Sequence, residues 1–362
     1  MERVYNFSAG PANLPLEVIE KAQNELSDFN DSGMSVMELS HRSKIYEDIH
    51  NEAKEKLLKL MKLGDDYELL FLQGGAYTQF VTIPMNYLED KSSAAYINTG
   101  SWTAKAIEEA KFFGNVEVIA SSEKDHFTYI PEIPEINKDY KYLYICTNNT
   151  IYGTRYAKDK LPNSPVPLLA DMSSNILSEN YDMTKFDLIF AGAQKNLGIS
   201  GVTIVAIKKD FLTKSAENLP TMFDYKIHAE KNSLYNTPPT FAIYITGLMA
   251  KWLINQGGVE EIEKMNIEKA GKLYDFLDNS KIFKNNIKKE DRSLMNVIFF
   301  TGNKDLDAAF LKGAEKEGLF NLKGHRSVGG MRASIYNAMP MDGVESLIDY
   351  MKKFEMENKQ EA

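Results

Sequence analysis

Short apolar runs alternate with helical patterns along the first two thirds of this 362-residue chain. Continuous apolar runs such as residues 69–72 are typical of strands covered on both faces of a parallel sheet. The strands that these runs predict are residues 67–72, 94–97, 116–120, 142–146, 166–170, 188–191 and 202–207. Apolar residues at helical spacing lie between several of them, so the pattern predicts βα units in a mostly parallel sheet.

The predicted helices of this part begin after Pro15 and cover residues 44–61, 79–88, 103–113 and 238–254. Gly257 and Gly258 end the last of them. The pattern then changes to a charged amphipathic helix at 259–277, a strand at 296–300, a helix at 306–317, a strand at 331–335 and a helix at 344–354. We therefore expect an arm (1–14), a large α/β domain (15–258) and a smaller α+β domain (259–362).

Charge and composition narrow the function classes. The chain has 42 Lys and Arg against 51 Asp and Glu, a net charge of −9, which disfavours nucleic-acid binding but leaves room for a local cationic pocket. Cys146 is the single cysteine, so an intramolecular disulfide and a Cys-ligated zinc or iron–sulfur site are excluded. The five histidines form no HxxxH or HExxH pair, and we predict no metal.

The sequence gives no indication of a membrane or an exported location. The first residues lack the basic and apolar regions of a signal peptide, and no apolar run approaches the ~18 residues of a membrane span. The single cysteine agrees with a reducing compartment. We expect a cytoplasmic protein.

A lysine follows the predicted strand 188–191 and stands among small residues, in the order Gly192-Ala193-Gln194-Lys195. Ligands of α/β proteins bind at such strand ends. A desolvated lysine there has a lowered pKa and can form a Schiff base. A solvated loop lysine is the alternative.

Asp171 follows another apolar run, 166–170, and so also lies at a strand end. A carboxylate at that place needs a cationic partner, and the protonated ring nitrogen of pyridoxal phosphate is one. The alternative is a helix N-cap or a turn closed with Ser173 or Ser174.

Two further features could belong to a ligand site. Residues 73–79 (QGGAYTQ) join a strand to a helix, where free backbone N–H groups can bind a phosphate, although a simple tight turn explains them equally. Trp102 follows the strand 94–97 and could stack on a planar ligand or anchor a core.

Five stretches in order along the chain resemble the class V aminotransferases, which have the aspartate-aminotransferase-like fold (fold type I of pyridoxal-phosphate enzymes). They are NFSAGP (6–11), SVMELSHRS (35–43), GAQKN (192–196), YNTPPT (235–240) and KGHR through GGMRASIYNA (323–338). The resemblance implies amino transfer from L-glutamate to a phosphorylated 2-oxo acid, 3-phosphohydroxypyruvate, with a related acceptor in vitamin B6 synthesis left open.

The resemblance also implies residue roles. Lys195 forms the Schiff base with pyridoxal phosphate and moves the proton, and Asp171 pairs with the pyridine nitrogen. The remaining implied cofactor contacts are Ala76, Tyr77, Trp102, Thr150 and Gln194, with Asn236 and Thr237 from the neighbouring subunit of a homodimer. The implied substrate-anion positions are His41, Arg42, His325, Arg326 and Arg332; arginine clamps carboxylates and phosphates with paired hydrogen bonds.

The sequence departs from the family pattern twice. Tyr77 stands where some members have arginine, although its backbone N–H remains available, and Ala9 stands where some have serine.

Three other functions are the alternatives. A cysteine desulfurase needs a mobile thiol, whereas Cys146 lies in a strand run; an NAD-dependent dehydrogenase needs a GxGxxG fingerprint; a non-catalytic scaffold does not need both Lys195 and Asp171.

Overall fold

The computed structural model describes residues 3–89 and 91–358, so the ends of the predicted arm and of the predicted C-terminal domain lie outside the described residues. The helices are α1 (Leu16–Glu25), α2 (Lys44–Met61), α3 (Gly75–Tyr87), α4 (Ser101–Ala110), α5 (Lys209–Leu212), α6 (Tyr225–Glu230), α7 (Thr240–Asn255), α8 (Val259–Asn279), α9 (Lys304–Lys316) and α10 (Met341–Glu357).

The strands are β1 (Tyr5–Asn6), β2 (Tyr67–Leu72), β3 (Ser93–Asn98), β4 (Asn115–Ser121), β5 (Leu143–Cys146), β6 (Asn148–Asn149), β7 (Thr154–Arg155), β8 (Leu168–Asp171), β9 (Leu188–Gly192), β10 (Thr203–Lys208), β11 (Asn296–Phe299), β12 (Leu319–Phe320) and β13 (Met331–Ser334). The predicted α2 and β2 have the observed bounds, and the other predicted elements agree to within a few residues.

One seven-stranded sheet, in the order β2-β10-β9-β8-β5-β3-β4, forms the centre of the molecule. The strands from β9 through β4 pair in parallel, and β10 pairs antiparallel with both β2 and β9. The predicted α/β class with a mostly parallel, mixed sheet is confirmed. Because β5, β8 and β9 run parallel, their carboxyl ends lie side by side on one edge.

The sheet is buried on both faces, as its apolar runs predict. Along β2, Leu69 and Phe71 belong to one core cluster and Leu70 and Leu72 to another on the opposite face. The first cluster includes residues of α2 and α7, and the second includes residues of α3 and α4. This alternation follows from the two-residue period of a strand.

A further core lies among α8, α9, α10 and the antiparallel pair β11–β13. Phe7 of the arm is fully buried in this core, and β1 pairs in parallel with β12. Helix α8 links the cores, because Val259 near its start packs in the sheet core and Leu273 packs in the further core. The two-residue strands were not predicted, since so short a run has no periodicity.

Helix α3 begins at Gly75, four residues before its predicted start. Gly74 has a φ of +92° and lies at the N-cap, and a Cβ on it would meet the Thr78 hydroxyl at 1.8 Å. The helix can start directly after the strand because glycine permits this close left-handed turn. Ala76 and Tyr77 therefore lie in the first helical turn rather than in a preceding loop.

Among residues 3–89 and 91–358, no group of three or more His, Cys, Asp or Glu side chains could hold a metal ion. None of the helices described above is long and apolar enough to cross a membrane.

Candidate active site

Lys195 lies just beyond the carboxyl end of β9, on the edge of the sheet where β8 also ends. Its half-buried side chain donates a 2.7 Å hydrogen bond from Nζ to the Thr150 hydroxyl. The same nitrogen lies 5.9 Å from the centre of the Trp102 ring. Burial lowers the pKa of the Lys195 amine to about 8, against the opposing charge of Asp171. A substantial fraction of this amine is therefore neutral and nucleophilic near neutral pH.

Asp171 is the last residue of β8, and its register partners are Phe190 and Cys146 on the flanking strands. Its carboxylate is buried and accepts a 2.9 Å hydrogen bond from the backbone N–H of Ser173. The turn that sequence reasoning left as an alternative is thus present, and it also orients the carboxylate. Burial raises the pKa of Asp171, whereas the bonds from Ser173 and the nearby Lys195 lower it.

An aromatic pair connects the start of α3 with the start of α4. The rings of Tyr77 and Trp102 meet edge to face, with centres 5.9 Å apart. The Lys105 ammonium lies 5.6 Å from the centre of the Tyr77 ring, about one turn of α4 beyond Trp102. The Trp102 indole N–H is buried and finds no hydrogen-bond acceptor among residues 3–89 and 91–358. The first-turn N–H groups of α3, which include those of Ala76 and Tyr77, have no carbonyl partner within the helix.

The arm lies against Lys195 and Gln194. The backbone N–H of Ala12 donates to the Gln194 carbonyl at 2.9 Å. A Cβ on Gly10 would stand 3.4 Å from the Lys195 Cγ, and a Cβ on Gly192 would stand 2.7 Å from the Gln194 side-chain oxygen. Glycine at both places permits the close packing that holds the lysine stem.

Arg332 contacts Thr150, the residue whose hydroxyl accepts the hydrogen bond from Lys195. The Arg332 guanidinium donates a 3.2 Å hydrogen bond to the Thr150 carbonyl, while its buried Nε has no acceptor in the part of the chain that the structure describes. His325 bonds Ser327 through Nδ1 at 2.7 Å. Burial lowers the pKa of His325, and the charges of Arg332 and Arg326 lower it further. The structure thus brings Arg332 close to Lys195 and places His325 and Arg326 close enough to Arg332 for their charges to interact.

Four predicted residues lie elsewhere. His41 and Arg42 precede α2, whose Ser43 caps the helix by accepting from the Tyr46 N–H. Within the described residues, the Arg42 side chain makes no hydrogen bond or ion pair, and it is exposed.

Asn236 and Thr237 precede α7 and lie beside the first turn of α3 in the same chain. The Gln73 amide donates to the Thr237 carbonyl at 3.2 Å. Asn236 and Thr78 line a cavity of about 300 Å³ there. The family resemblance implies that Asn236 and Thr237 contact the cofactor of the neighbouring subunit, and this stays a prediction.

Tyr336 is a site residue that sequence reasoning missed. Its hydroxyl donates to the Ala9 carbonyl at 2.7 Å and accepts from the Asn296 amide at 3.2 Å. It therefore fastens the arm that covers Lys195. Tyr336 follows the predicted site residue Arg332 by four positions, and this proximity in sequence could have marked it as a candidate. Only the fold, however, brings its hydroxyl to the Ala9 carbonyl.

Cys146 lies in β5 and is buried, as its strand run predicts. Its thiol donates to the Asn148 carbonyl at 3.4 Å, and burial raises its pKa well above the usual value. Such a thiol is a poor nucleophile.

Comparison with known proteins agrees with this geometry. The aminotransferase class V family profile matches residues 4–347. Phosphoserine aminotransferase of Bacillus cereus is 54% identical over 99% of this chain and 100% of its own length. That of Listeria monocytogenes is 56% identical over 98% of this chain and 97% of its own length.

A solved structure of phosphoserine aminotransferase from Bacillus circulans subsp. alkalophilus superposes with a TM-score of 0.96 at 46% identity, covering 99% of this chain and 100% of that one. A pyridoxal-phosphate-bound phosphoserine aminotransferase from Trichomonas vaginalis superposes with a TM-score of 0.90 at 40% identity, over 97% of this chain and 100% of that one. These proteins share the fold that the sequence predicted.

Proposed function

The chain belongs to the class V aminotransferases, within the phosphoserine aminotransferase family, and we propose its reaction on that basis. It converts 3-phosphohydroxypyruvate and L-glutamate to O-phospho-L-serine and 2-oxoglutarate, with pyridoxal phosphate as cofactor. One observation carries the proposal. Lys195, with a pKa lowered to about 8, lies at the end of a buried strand beside the carboxylate of Asp171 and the ring of Trp102.

The unsatisfied groups of the site fit this cofactor. The free N–H groups at the start of α3 suit a phosphate, the Trp102 face suits an aromatic ring, and the buried carboxylate of Asp171 suits a protonated ring nitrogen. When bound, pyridoxal phosphate supplies the electron sink for breaking the Cα–H bond of the amino donor.

The chain's own residues then have distinct tasks. Asp171 would hold a proton on the ring nitrogen through its charge, and Trp102 would stack on the ring. Thr150, which already accepts from Lys195, is placed to bond the phenolic oxygen. Ala76, Tyr77 and Gln194 hold the phosphate, and the Lys195 amine carries the proton to and from the substrate carbon.

The amino acceptor has a carboxylate at one end and a phosphate at the other. We assign Arg332, Arg326 and His325 to these anions. Burial lowers the pKa of His325 and the charges of Arg332 and Arg326 lower it further, so a bound anion would relieve the repulsion among the three groups. We assign His41 and Arg42 to the same recognition of substrate anions, although in the single chain they lie before α2.

We propose that the active enzyme is a homodimer with shared sites. Met34, Met37, Met222 and Tyr235 are large apolar side chains that are 41–55% exposed, in the segments before α2, α6 and α7. A second copy that covers these segments would also carry its Asn236 and Thr237 toward the neighbouring phosphate site.

The proposal includes the predicted division of the chain into 1–14, 15–258 and 259–362. The separate core among α8, α9 and α10 supports it, and the cleft then takes Lys195 and Asp171 from the large domain and Arg332 from the small one. We also propose that the protein is cytoplasmic, which the free thiol of Cys146 supports. As a second amino acceptor we propose the 2-oxo precursor of 4-phosphohydroxythreonine, an intermediate of pyridoxine biosynthesis.

Replacement of Lys195 by alanine tests the reaction. We expect the purified protein to be yellow, and Lys195→Ala to lose both the absorption of the bound cofactor and at least about a thousandfold of the transamination rate. Lys209→Ala is the matched control, because Lys209 is exposed at the start of α5. A fully active Lys195→Ala protein would refute the assignment.

Substrate comparison tests the anion clamp. The rate with 3-phosphohydroxypyruvate should exceed that with hydroxypyruvate and with glyoxylate by about a hundredfold or more in kcat/KM, because loss of a bidentate charged contact costs a few kcal/mol. Equal rates would contradict the phosphate part of the proposal.

The same assay with the 2-oxo precursor of 4-phosphohydroxythreonine tests the second acceptor. Size-exclusion chromatography with light scattering measures the oligomeric state and so tests the homodimer.

A further inference from the structure

Lys269 is a buried lysine of α8 that none of the roles above uses. Its side chain is 3% exposed, and within the described residues it forms no ion pair. The ammonium instead donates to four backbone carbonyl oxygens of one segment: Ile335 at 3.2 Å, Tyr336 at 2.9 Å, Asn337 at 3.4 Å and Met339 at 3.0 Å. A lysine is almost never buried unless it is paired, so this arrangement needs an explanation.

The carbonyls explain why the buried group is a cation. Residues 335–339 lead from β13 to α10, and their carbonyls converge on one point inside the protein. An apolar side chain there would leave several buried acceptors without a donor, at a cost of about 1–3 kcal/mol each. One ammonium supplies three N–H donors to them. Burial lowers the pKa of Lys269 to about 7.

The segment that Lys269 holds is bonded to the neighbour of Lys195. The backbone N–H of Asn337 donates to the Asn196 side-chain oxygen at 3.1 Å. The Asn196 amide in turn donates to the Ile176 carbonyl at 3.2 Å. Asn196 is therefore fixed from two sides, and one of these contacts comes from the segment that Lys269 gathers.

Two other contacts connect the same segment to the site. Asn266, one turn before Lys269 on α8, donates to the Asn337 side-chain oxygen at 2.8 Å and to the Ser178 carbonyl at 2.9 Å. Tyr336 fastens Ala9 of the arm, whose next residue packs on the Lys195 stem. The segment 335–339 thus restrains Lys195 through Asn196 on one side and through the arm on the other.

We propose that Lys269 is a positioning residue of the transamination: by gathering the carbonyls of residues 335–339 it fixes Asn196 and the arm, and so sets where the Lys195 amine lies relative to Thr150 and Trp102. The inference rests on the proposed function only for its activity measurement.

The Trp102 ring gives a measurement that needs neither cofactor nor substrate. The chain has two tryptophans, so Trp252→Phe leaves Trp102 as the only one, 5.9 Å from the Lys195 nitrogen. In cofactor-free protein, the fluorescence of Trp102 should titrate with the Lys195 amine near pH 8. In this background we compare Lys269→Met, Lys269→Arg and, as the matched control on the same helix, Lys272→Met, because Lys272 is a surface residue paired with Glu345.

If Lys269 positions Lys195, Lys269→Met moves the titration midpoint by about half a pH unit or more, while Lys272→Met leaves it unchanged. With cofactor, kcat of Lys269→Met falls about tenfold with KM for glutamate within about twofold, and Lys269→Arg recovers part of the loss. Asn196→Ala shifts the midpoint in the same direction, and the double variant shifts it no further than the larger single change.

A folded Lys269→Met protein with an unchanged midpoint and unchanged kcat overturns the proposal and leaves Lys269 a role in stability alone. Additive shifts in the double variant overturn the route through Asn196. If Lys269→Met does not fold, Lys269→Gln, which keeps an amide donor, takes its place with the same criteria. Since the titration uses cofactor-free protein, it remains decisive even if the wild type fails the transamination assay, which would refute the proposed function alone.

Discussion

Lys195 and Lys269 are both removed from bulk water, but different groups surround them. Lys195 faces one hydroxyl, an aromatic ring and a carboxylate-bearing strand end, and part of its side chain opens on the cleft. Lys269 faces four carbonyl oxygens and no opening. Burial lowers the pKa of both amines, to about 8 and about 7. A shifted pKa therefore does not distinguish a reactive lysine from a structural one, whereas the number of hydrogen-bond acceptors and an open side do.

Among changes that leave both lysines in place, removing the charge of Asp171 should produce the largest effect, because it takes from Lys195 the carboxylate neighbour that Lys269 lacks. We expect Asp171→Asn to lower kcat by about a hundredfold or more, since the ring nitrogen loses the charge that keeps it protonated. Steady-state kinetics measures this. Asp187→Asn is the control, because Asp187 is a carboxylate that pairs with Lys208 away from the cleft. Equal losses in both variants would argue against a special role of Asp171.

The pH dependence of cofactor uptake distinguishes the two amines by reactivity. Only a neutral amine attacks an aldehyde, and Lys195 becomes neutral as the pH rises through its pKa of about 8. The rate at which cofactor-free protein takes up pyridoxal phosphate should rise about tenfold per pH unit below pH 8 and level off above it. Stopped-flow absorbance measures the rate. A profile that continues to rise to pH 10 would show that the amine is not desolvated.

The same substitution should lower the free energy of unfolding much more at Lys269 than at Lys195. Lys269→Met leaves buried carbonyls without donors and should lower the free energy of unfolding by about 3 kcal/mol. Lys195→Met loses one hydrogen bond but also removes a partly desolvated charge, so its free energy of unfolding should change by about 1 kcal/mol or less. Urea denaturation of the cofactor-free proteins gives both values. Similar losses for the two would remove the distinction drawn from their acceptors.

The smallest effect is expected at Tyr77. Tyr77→Ala removes the ring that meets Trp102 edge to face but keeps the backbone N–H in the first turn of α3. The dissociation constant of pyridoxal phosphate should rise only about three- to tenfold, since such aromatic pairs contribute about 0.5–1.5 kcal/mol. Fluorescence titration measures it, with Phe112→Ala as a control at an exposed aromatic residue. A loss of a thousandfold would mean that the phenol itself holds the phosphate.

The sequence was sufficient for the parts of the fold that have a clear period. The bounds of α2 and β2 follow from apolar spacing, and Lys195 and Asp171 were placed at strand ends by the runs before them. The start of α3 was not found, because Gly74 and Gly75 suggest a turn whether or not a helix follows directly.

Contacts between distant segments could not be predicted in this way. Helical spacing puts Lys269 on the apolar side of α8 with Ile262 and Leu273, unlike the exposed Lys264, but it gives no indication of the acceptors that Lys269 meets there. Its burial depends on where the carbonyls of residues 335–339 lie, which only the packed fold determines. The link from Tyr336 to Ala9 has the same origin, since it joins residues near the two ends of the chain.

The strand order has a consequence for synthesis on the ribosome. Strands β3, β4, β5, β8 and β9 can pair as they emerge, but β2 has only β10 as its neighbour and must wait for residues 203–208. At the usual rate of about 5–20 residues per second, this delay is on the order of ten seconds. The arm waits longer, because β1 pairs with β12 at residues 319–320. The nascent chain therefore exposes an unpaired apolar strand for more than a third of its translation, and the lysine is covered by the arm only when synthesis is almost complete.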